Sequence, residues 1–315
     1  MIAVKGLSKR YGDKFAVDNL DFTVKPGRVT GFLGPNGAGK STTLRMIVGL
    51  DRPTSGSATV CGRPYRDLPS PLRTVGALLE ARAVHSGRTA REHLRGLAAS
   101  NRLPRQRVDE VLARVGLTDT ARRRVGAFSL GMGQRLGIAA ALLGDPEIVI
   151  LDEPVNGLDP EGIQWVRELM RGMAEEGRTV LVSSHLMSEM QDTADHLIVI
   201  GRGRLAADCS MTEFLARSAH NGVVVRTPHA VELVPLLRRA GGTIDDGSTG
   251  RGEPPGENAP LVVKGLDARR IGELAGRHGL WLHELAPQRV SLQEAFMELT
   301  ADAVEYRATE EGRAA

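Results

Sequence analysis

The stretch Gly34–Thr42 reads GPNGAGKST. Gly34, Gly39, Lys40 and Ser41 match the pattern G-x-x-x-x-G-K-S/T, directly after the apolar run VTGFL (29–33) and before the helix-like STTLRMIVGL. Glycines let successive backbone N–H groups turn inward onto one anion, so the loop from Gly34 through Pro35, Asn36, Gly37, Ala38 and Gly39 is expected to wrap phosphates. Lys40 would reach the β- and γ-phosphates and Ser41 would give its hydroxyl to Mg²⁺. The helix that opens at Ser41 and Thr42 would add the positive end of its dipole. An ordinary strand-to-helix turn has no need of this combination.

A phosphate loop alone leaves kinases, small GTPases, helicases and transport ATPases open, and the acidic partner decides among them. IVILDE (148–153) puts Asp152 and Glu153 at the carboxyl end of an apolar strand, where open α/β sheets bind ligands. Asp152 would hold Mg²⁺ through water, and Glu153 would polarise the attacking water as general base. Alone, an acidic pair after a strand is usually a solvated loop. A phosphate loop elsewhere in the chain gives this pair a substrate.

The elements that must position these residues are readable from periodicity. IAVKGL (2–7), VTGFL (29–33), VGALL (75–79), EIVIL (147–151), TVLVSS (179–184) and HLIVI (196–200) read as strands. The continuous apolar runs suit an α/β sheet buried on both faces. Between residues 84 and 144 the strands stop, and TAREHLRGLAASN, RQRVDEVLARVG and SLGMGQRLGIAAALLG carry helical spacing, which predicts an inserted helical subdomain. Residues 1–218 are therefore expected to form one nucleotide-binding domain. Residues 219–305 alternate strand and helix around a Gly- and Pro-rich loop at 247–260, with Ser291 and Glu294 in capping-box spacing. They predict a small α+β dimerising or regulatory domain, followed by a tail at 306–315.

The chain has 315 residues, more than one hydrophobic core usually serves, which agrees with two domains. Lys and Arg total 41 against 38 for Asp and Glu, and the charges are interspersed, so the net charge of +3 predicts a solvated surface and no nucleic-acid partner. Cys61 and Cys209 lie far apart without C-x-x-C spacing, which argues against a zinc site or a disulfide framework. No run is long and apolar enough to span a membrane, and Met1 opens onto a strand-like segment, so a cytoplasmic chain is expected.

With these motifs together, residues 1 to about 210 resemble the nucleotide-binding subunit of an ATP-binding cassette (ABC) transporter. FSLGMGQR (128–135) is similar to the family's LSGGQ signature, with Ser129 and Gly131 retained and Leu130 and Met132 departing from it. NGLD (156–159) resembles the D-loop and implies that Asp159 lies at a dimer seam. His185 resembles the switch histidine at the γ-phosphate, and Tyr11 the aromatic residue on which adenine stacks. In VGALLEARAV, Glu80 stands where the family carries a glutamine near Mg²⁺ and the attacking water, which adds a negative charge there.

The resemblance implies a P-loop fold and an ATPase that closes as a head-to-tail homodimer. Each ATP would be buried between one copy's 34–42 loop and the other copy's signature. It also implies an integral membrane permease as partner, with the chain peripheral on the inner face of the cell membrane. The SLGMGQ variant and the ending SLQEAFMELT resemble subunits that export drugs, antibiotics or peptides, which favours export over import. A soluble cassette ATPase acting on nucleic acid or ribosomes is the competing reading. It would call for a long coiled-coil insertion or a second phosphate loop, and neither is present in the sequence. A small-molecule kinase or GTPase would have no use for the 129–135 segment, and no N-K-x-D guanine-reading motif occurs.

Overall fold

A computed structural model describes residues 1–80, 83–216, 222–245, 260–288 and 291–300. Strand β1 (Ile2–Tyr11) and β2 (Lys14–Val24) form a hairpin, and β3 (Arg28–Leu33) runs into the glycine-rich loop before α1 (Lys40–Ile47). β4 (Ser55–Val60), the short α2 (Pro71–Thr74) and β5 (Val75–Leu78) follow. Next come α3 (Ala90–Ser100), α4 (Gln106–Arg114) and α5 (Leu130–Leu142), then β6 (Ile148–Asp152), α6 (Pro160–Glu175), β7 (Thr179–Ser183), α7 (Met187–Gln191), β8 (His196–Gly201) and β9 (Arg204–Ser210).

These strands make two sheets. A six-stranded sheet runs in the order β5-β6-β7-β3-β8-β9, parallel except for the terminal β9. A three-stranded antiparallel sheet runs β2-β1-β4. The expectation that IAVKGL joins the α/β sheet is therefore corrected. Its pattern has buried Ile2, Val4 and Leu7 interrupted by partly or fully exposed residues, as in a strand with one wet face, and it pairs antiparallel with β2 and β4. The runs in β3, β6, β7 and β8 are buried almost throughout, and they supply the core that fixes their carboxyl ends.

The helical insertion holds together by packing and by side chains that reach helix ends. Thr89 and Glu92 close a capping box on α3. From α4, Arg107 donates to the Leu142 and Leu143 carbonyls, satisfying the otherwise open C-terminal end of α5. Arg135 of α5 donates to the Val115 carbonyl at 3.1 Å and stacks over Trp165 of α6 at 4.3 Å, so this helix is tied to both sides.

By contact density the chain divides after Met211, with Thr212–Glu298 forming a second unit. Its elements are α8 (Met211–Ala216), β10 (Val223–Arg226), α9 (Ala230–Arg239), β11 (Thr243–Asp245), β12 (Leu261–Lys264), α10 (Ala268–Arg277), β13 (Glu284–Pro287) and α11 (Leu292–Thr300). From β10 to β13 the order is strand, helix, two strands, helix, strand, in an antiparallel sheet β11-β12-β10-β13, which is the split βαβ arrangement. Val223, Val225, Leu261 and Val263 pack against Leu233 and Leu237 of α9 and Ile271 and Ala275 of α10. The Ser291–Glu294 box forms as read, with Ser291 N–H and hydroxyl both donating to Glu294. The 247–260 loop, apart from its last residue, and the 306–315 tail lie outside the described residues.

A candidate nucleotide-hydrolysing site

The site forms where β3, β7 and β6 lie side by side. Parallel register puts Phe32 against Ser183 and Ser183 against Asp152, so the chain leaves β3 into the glycine loop on the edge where the acidic pair ends β6. This is the carboxyl edge, where doubly wound sheets take ligands. A cleft of about 440 Å³ opens there, lined by Asn36 to Thr42 together with Ala16, Glu153, Asn156 and His185.

The loop conformation depends on glycine at two places. Gly39 has φ 101° and caps α1, and a Cβ on it would fall onto the Ala16 carbonyl oxygen of β2. A Cβ on Gly34 would lie 2.5 Å from the Ile200 carbonyl oxygen. Only a residue without a side chain lets both backbones approach so closely. Beyond Gly39, the first turn of α1 presents backbone N–H groups that have no acceptor within the helix, alongside the Ser41 and Thr42 hydroxyls.

Lys40 is 8% exposed, and its Nζ donates to the carbonyls of Gly34 at 2.6 Å and Pro35 at 3.2 Å. Burial pushes its pKa below the usual lysine value, and the attraction of Glu153 and Asp152 offsets part of that shift. The ammonium is thus held over the loop with two carboxylates near and no ion pair among the described residues.

On the opposite wall, the Ser183 hydroxyl hydrogen-bonds Asp152 Oδ1 and accepts from Glu153 N–H at 3.1 Å. Glu153 has φ 51°, in the left-handed region that non-glycine residues seldom occupy. That conformation turns its side chain from the strand direction toward the cleft, where Oε2 lies 2.7 Å from His185 Nδ1. A carboxylate only accepts, so Nδ1 carries the proton, and His185 also points its backbone N–H at the same oxygen from 3.4 Å.

The structure thus brings Asn36 to Thr42, Glu153 and His185 into one cleft, with Asp152 at its edge. Other expected residues stand apart. Tyr11 is 53% exposed at the end of β1 with the Lys9 ammonium over its ring, and it is not part of the cleft lining. Glu80 is exposed just past β5 and also lies outside the lining. Ser129 caps α5 by accepting from Met132 N–H at 3.2 Å, and Asp159 caps α6 by accepting from Gly162 N–H at 2.8 Å. Neither faces the chain's own cleft, and Gly131 sits beside Leu158 and Gly157. Sequence reasoning missed Ala16, Asn156, Ser183 and Gln134. Ser183 has a sequence signal, a polar residue ending an apolar strand, but only the β6–β7 register shows that Asp152 is its neighbour. Ala16 contributes through its backbone, which no side-chain pattern reports.

The fold and cleft define a P-loop ATPase with a helical insertion. A family model described as ABC transporter matches residues 17–156, and one described as a domain of unknown function (DUF8746) matches 221–293. The bacitracin transport ATP-binding protein BcrA of Bacillus licheniformis is 45% identical over 208 residues, covering 65% of this chain and 68% of that protein. The daunorubicin resistance ATP-binding protein DrrA3 of Streptomyces coeruleorubidus is 35% identical over 309 residues, covering 96% of each chain. Among solved structures, an ATP-binding subunit of an ABC transporter gives a TM-score of 0.63 at 29% identity, over 69% of this chain and 92% of that one. The dimeric post-hydrolysis state of the ATP-binding cassette MJ0796, bound to ADP and Pi, gives 0.61 at 26%, over 67% of this chain and 99% of that one. The chain belongs to the ATP-binding proteins of the ABC transporter family. No helix among the described residues is long and apolar enough to cross a membrane.

Proposed function

We propose that this chain hydrolyses ATP in a head-to-tail homodimer, on the inner face of the cell membrane, to drive export of an antibiotic-like compound through a separate permease. The observation that carries the dimer is the separation of parts. Lys40, Glu153 and His185 share one cleft, while Ser129 and Leu130, which open α5, are exposed and lie outside its lining. An exposed helix N-terminus with a serine cap is built to receive an anion, and a second copy's γ-phosphate supplies one. The export reading is supported by the likeness to the daunorubicin resistance protein across both regions of the chain and to the bacitracin transport protein across the first.

Within this reading, the 36–42 backbone and Lys40 hold the phosphates, and the Glu153 carboxylate takes the proton of the attacking water while His185 fixes it through Oε2. Mg²⁺ fits the residues present. Ser41 offers a hydroxyl in the first turn of α1, and Asp152 is oriented by Ser183 through Oδ1, leaving its other oxygen for a metal-bound water. Phosphate oxygens and water would complete such a shell, and the ion would neutralise charge on the leaving phosphates. Asp159 at the seam, Glu80 near the metal and Tyr11 under adenine belong to the same proposal, each on the family motif it matches. We assign 1–218 to the ATPase and 219–305 to a dimerising or regulatory module.

Two experiments test the reading. Glu153→Gln is expected to bind ATP, accumulate as an ATP-bound dimer and lose turnover by roughly 10²–10⁴-fold; retained hydrolysis would show that another group is the base. Purification from detergent-solubilised membranes is expected to bring an integral membrane protein with the chain, and a purely soluble complex would sink the transporter reading.

A further inference from the structure

Gln134 is buried to 5% exposure within α5, and its Nε2 donates to the backbone carbonyl of Glu153 at 3.1 Å. It is the glutamine that ends the SLGMGQ stretch, and the site assignments above give it no role. A buried amide is retained only when its hydrogen bonds are made, and this one is made to the residue with the strained backbone. A non-glycine residue at φ 51° persists when its surroundings over-determine it. The restraints on Glu153 come from three directions. Ser183 accepts from its N–H, His185 holds its carboxylate, and its carbonyl accepts from Asn156 N–H at 3.3 Å and from Gln134. Among the described residues, Gln134 alone brings a restraint from outside the 153–156 turn and the β7 end.

One turn toward the N-terminus of the same helix face lies Leu130, where the family signature carries glycine. The Leu130 side chain fills the space that a Cβ on Gly157 would take. Residues 130 and 134 are i,i+4 neighbours, so α5 grips the 153–157 turn at two points, one polar and one apolar. Ser129 caps this same helix. A displacement of α5 at its N-terminus is therefore passed to the backbone that aims Glu153.

We propose that Gln134 is a positioning residue for hydrolysis, which fixes the left-handed turn at Glu153 and couples it to whatever anion the α5 N-terminus holds. The proposal rests on the reading that Glu153 is the base and that a partner's ATP docks at Ser129. Under it, the nucleotide held between one copy's loop and the other copy's α5 sets the base that acts in the other site of the dimer.

Gln134→Met removes the donor at nearly constant volume, which cores tolerate. It is expected to lower kcat by roughly 10- to 100-fold, as sub-ångström misplacement of a base does, with KM and ATP affinity within about twofold of wild type. Leu130→Ala, at a side chain that is 45% exposed and so no threat to folding, is expected to lower kcat in the same sense but less. In the full-length Glu153→Gln protein, ATP should slow amide exchange both in the 36–42 loop and in 153–157. Adding Gln134→Met should abolish the second protection and spare the first. Unchanged kcat in both variants, or a fall in ATP affinity matching the fall in kcat, would overturn the positioning role. Hydrolysis surviving in Glu153→Gln alone would instead overturn the assignment of the base, so the two failures are told apart.

Discussion

Gly39→Ala tests the loop geometry most directly. Its φ of 101° lies outside what alanine adopts without strain, and the new Cβ would approach the Ala16 carbonyl oxygen closer than the 3.0 Å that Cβ atoms keep. Val17 Cγ2 at 3.2 Å closes the other side. Ala16 sits at an irregularity of β2, but its neighbours Phe15 and Val17 are both paired with β1 and hold its backbone in place, so the carbonyl cannot yield cheaply. Forbidden φ contributes about 1–3 kcal/mol, and overpacking about 1–3 kcal/mol more. Taking about 3–5 kcal/mol as the penalty for the phosphate-binding shape, ATP affinity falls by roughly a hundredfold to a few thousandfold. The paired control is Gly177→Ala. It also has positive φ, 87°, but nothing within 4 Å of the added Cβ. It should lose about 1 kcal/mol of stability and no ATP affinity. Calorimetric titration with a non-hydrolysable ATP analogue, beside thermal melts of both variants, reads the outcome. A folded Gly39→Ala protein with near wild-type affinity would refute the claim that this contact shapes the loop.

Three further outcomes are expected. For Lys40, the folded pKa lies below the free value of 10.5 because burial penalises the charge. Between the two values the unfolded chain binds more protons, so the unfavourable contribution is fully present below the folded pKa and disappears as pH rises toward 10.5. In urea melts without nucleotide, wild type should therefore gain stability relative to Lys40→Met as pH rises, and a pH-independent difference would refute the burial argument. Asp159→Ala should cost about 1 kcal/mol through the lost α6 cap, whereas Asp159→Asn keeps the cap; ATP-driven dimerisation lost in Asn as well, by analytical ultracentrifugation, would mark a seam role. Ending the chain at residue 215 should weaken the dimer and leave ATP affinity unchanged, and an unaltered dimerisation constant would count against a dimerising second domain.

Much of the chemistry was legible because it depends on local order. The glycines, lysine and hydroxyls of 34–42 act as a contiguous loop, and the acidic pair ends a strand whose apolar run is plain. The helical insertion was equally visible from its spacing. β1 was misassigned to the parallel sheet, because a single strand does not announce its partners, and β2, β4 and β9 went unread because their alternation is weak and interrupted by polar residues. Tyr11 and Glu80 follow from the family resemblance alone, and both are exposed and absent from the cleft lining.

By itself, the sequence determined a glycine-rich loop between a strand and a helix, an acidic pair at the end of an apolar strand, and a block of helices set between strands. All three are properties of short stretches whose backbone needs are encoded residue by residue. Tertiary structure decided what those stretches do together. Parallel register placed Ser183 beside Asp152, the packing of β2 brought the Ala16 carbonyl against Gly39, and burial of α5 carried Gln134 to the carbonyl of Glu153. These contacts join residues distant along the chain through strand register or a main-chain carbonyl, which every residue type shares, so side-chain pattern alone does not say which partners meet.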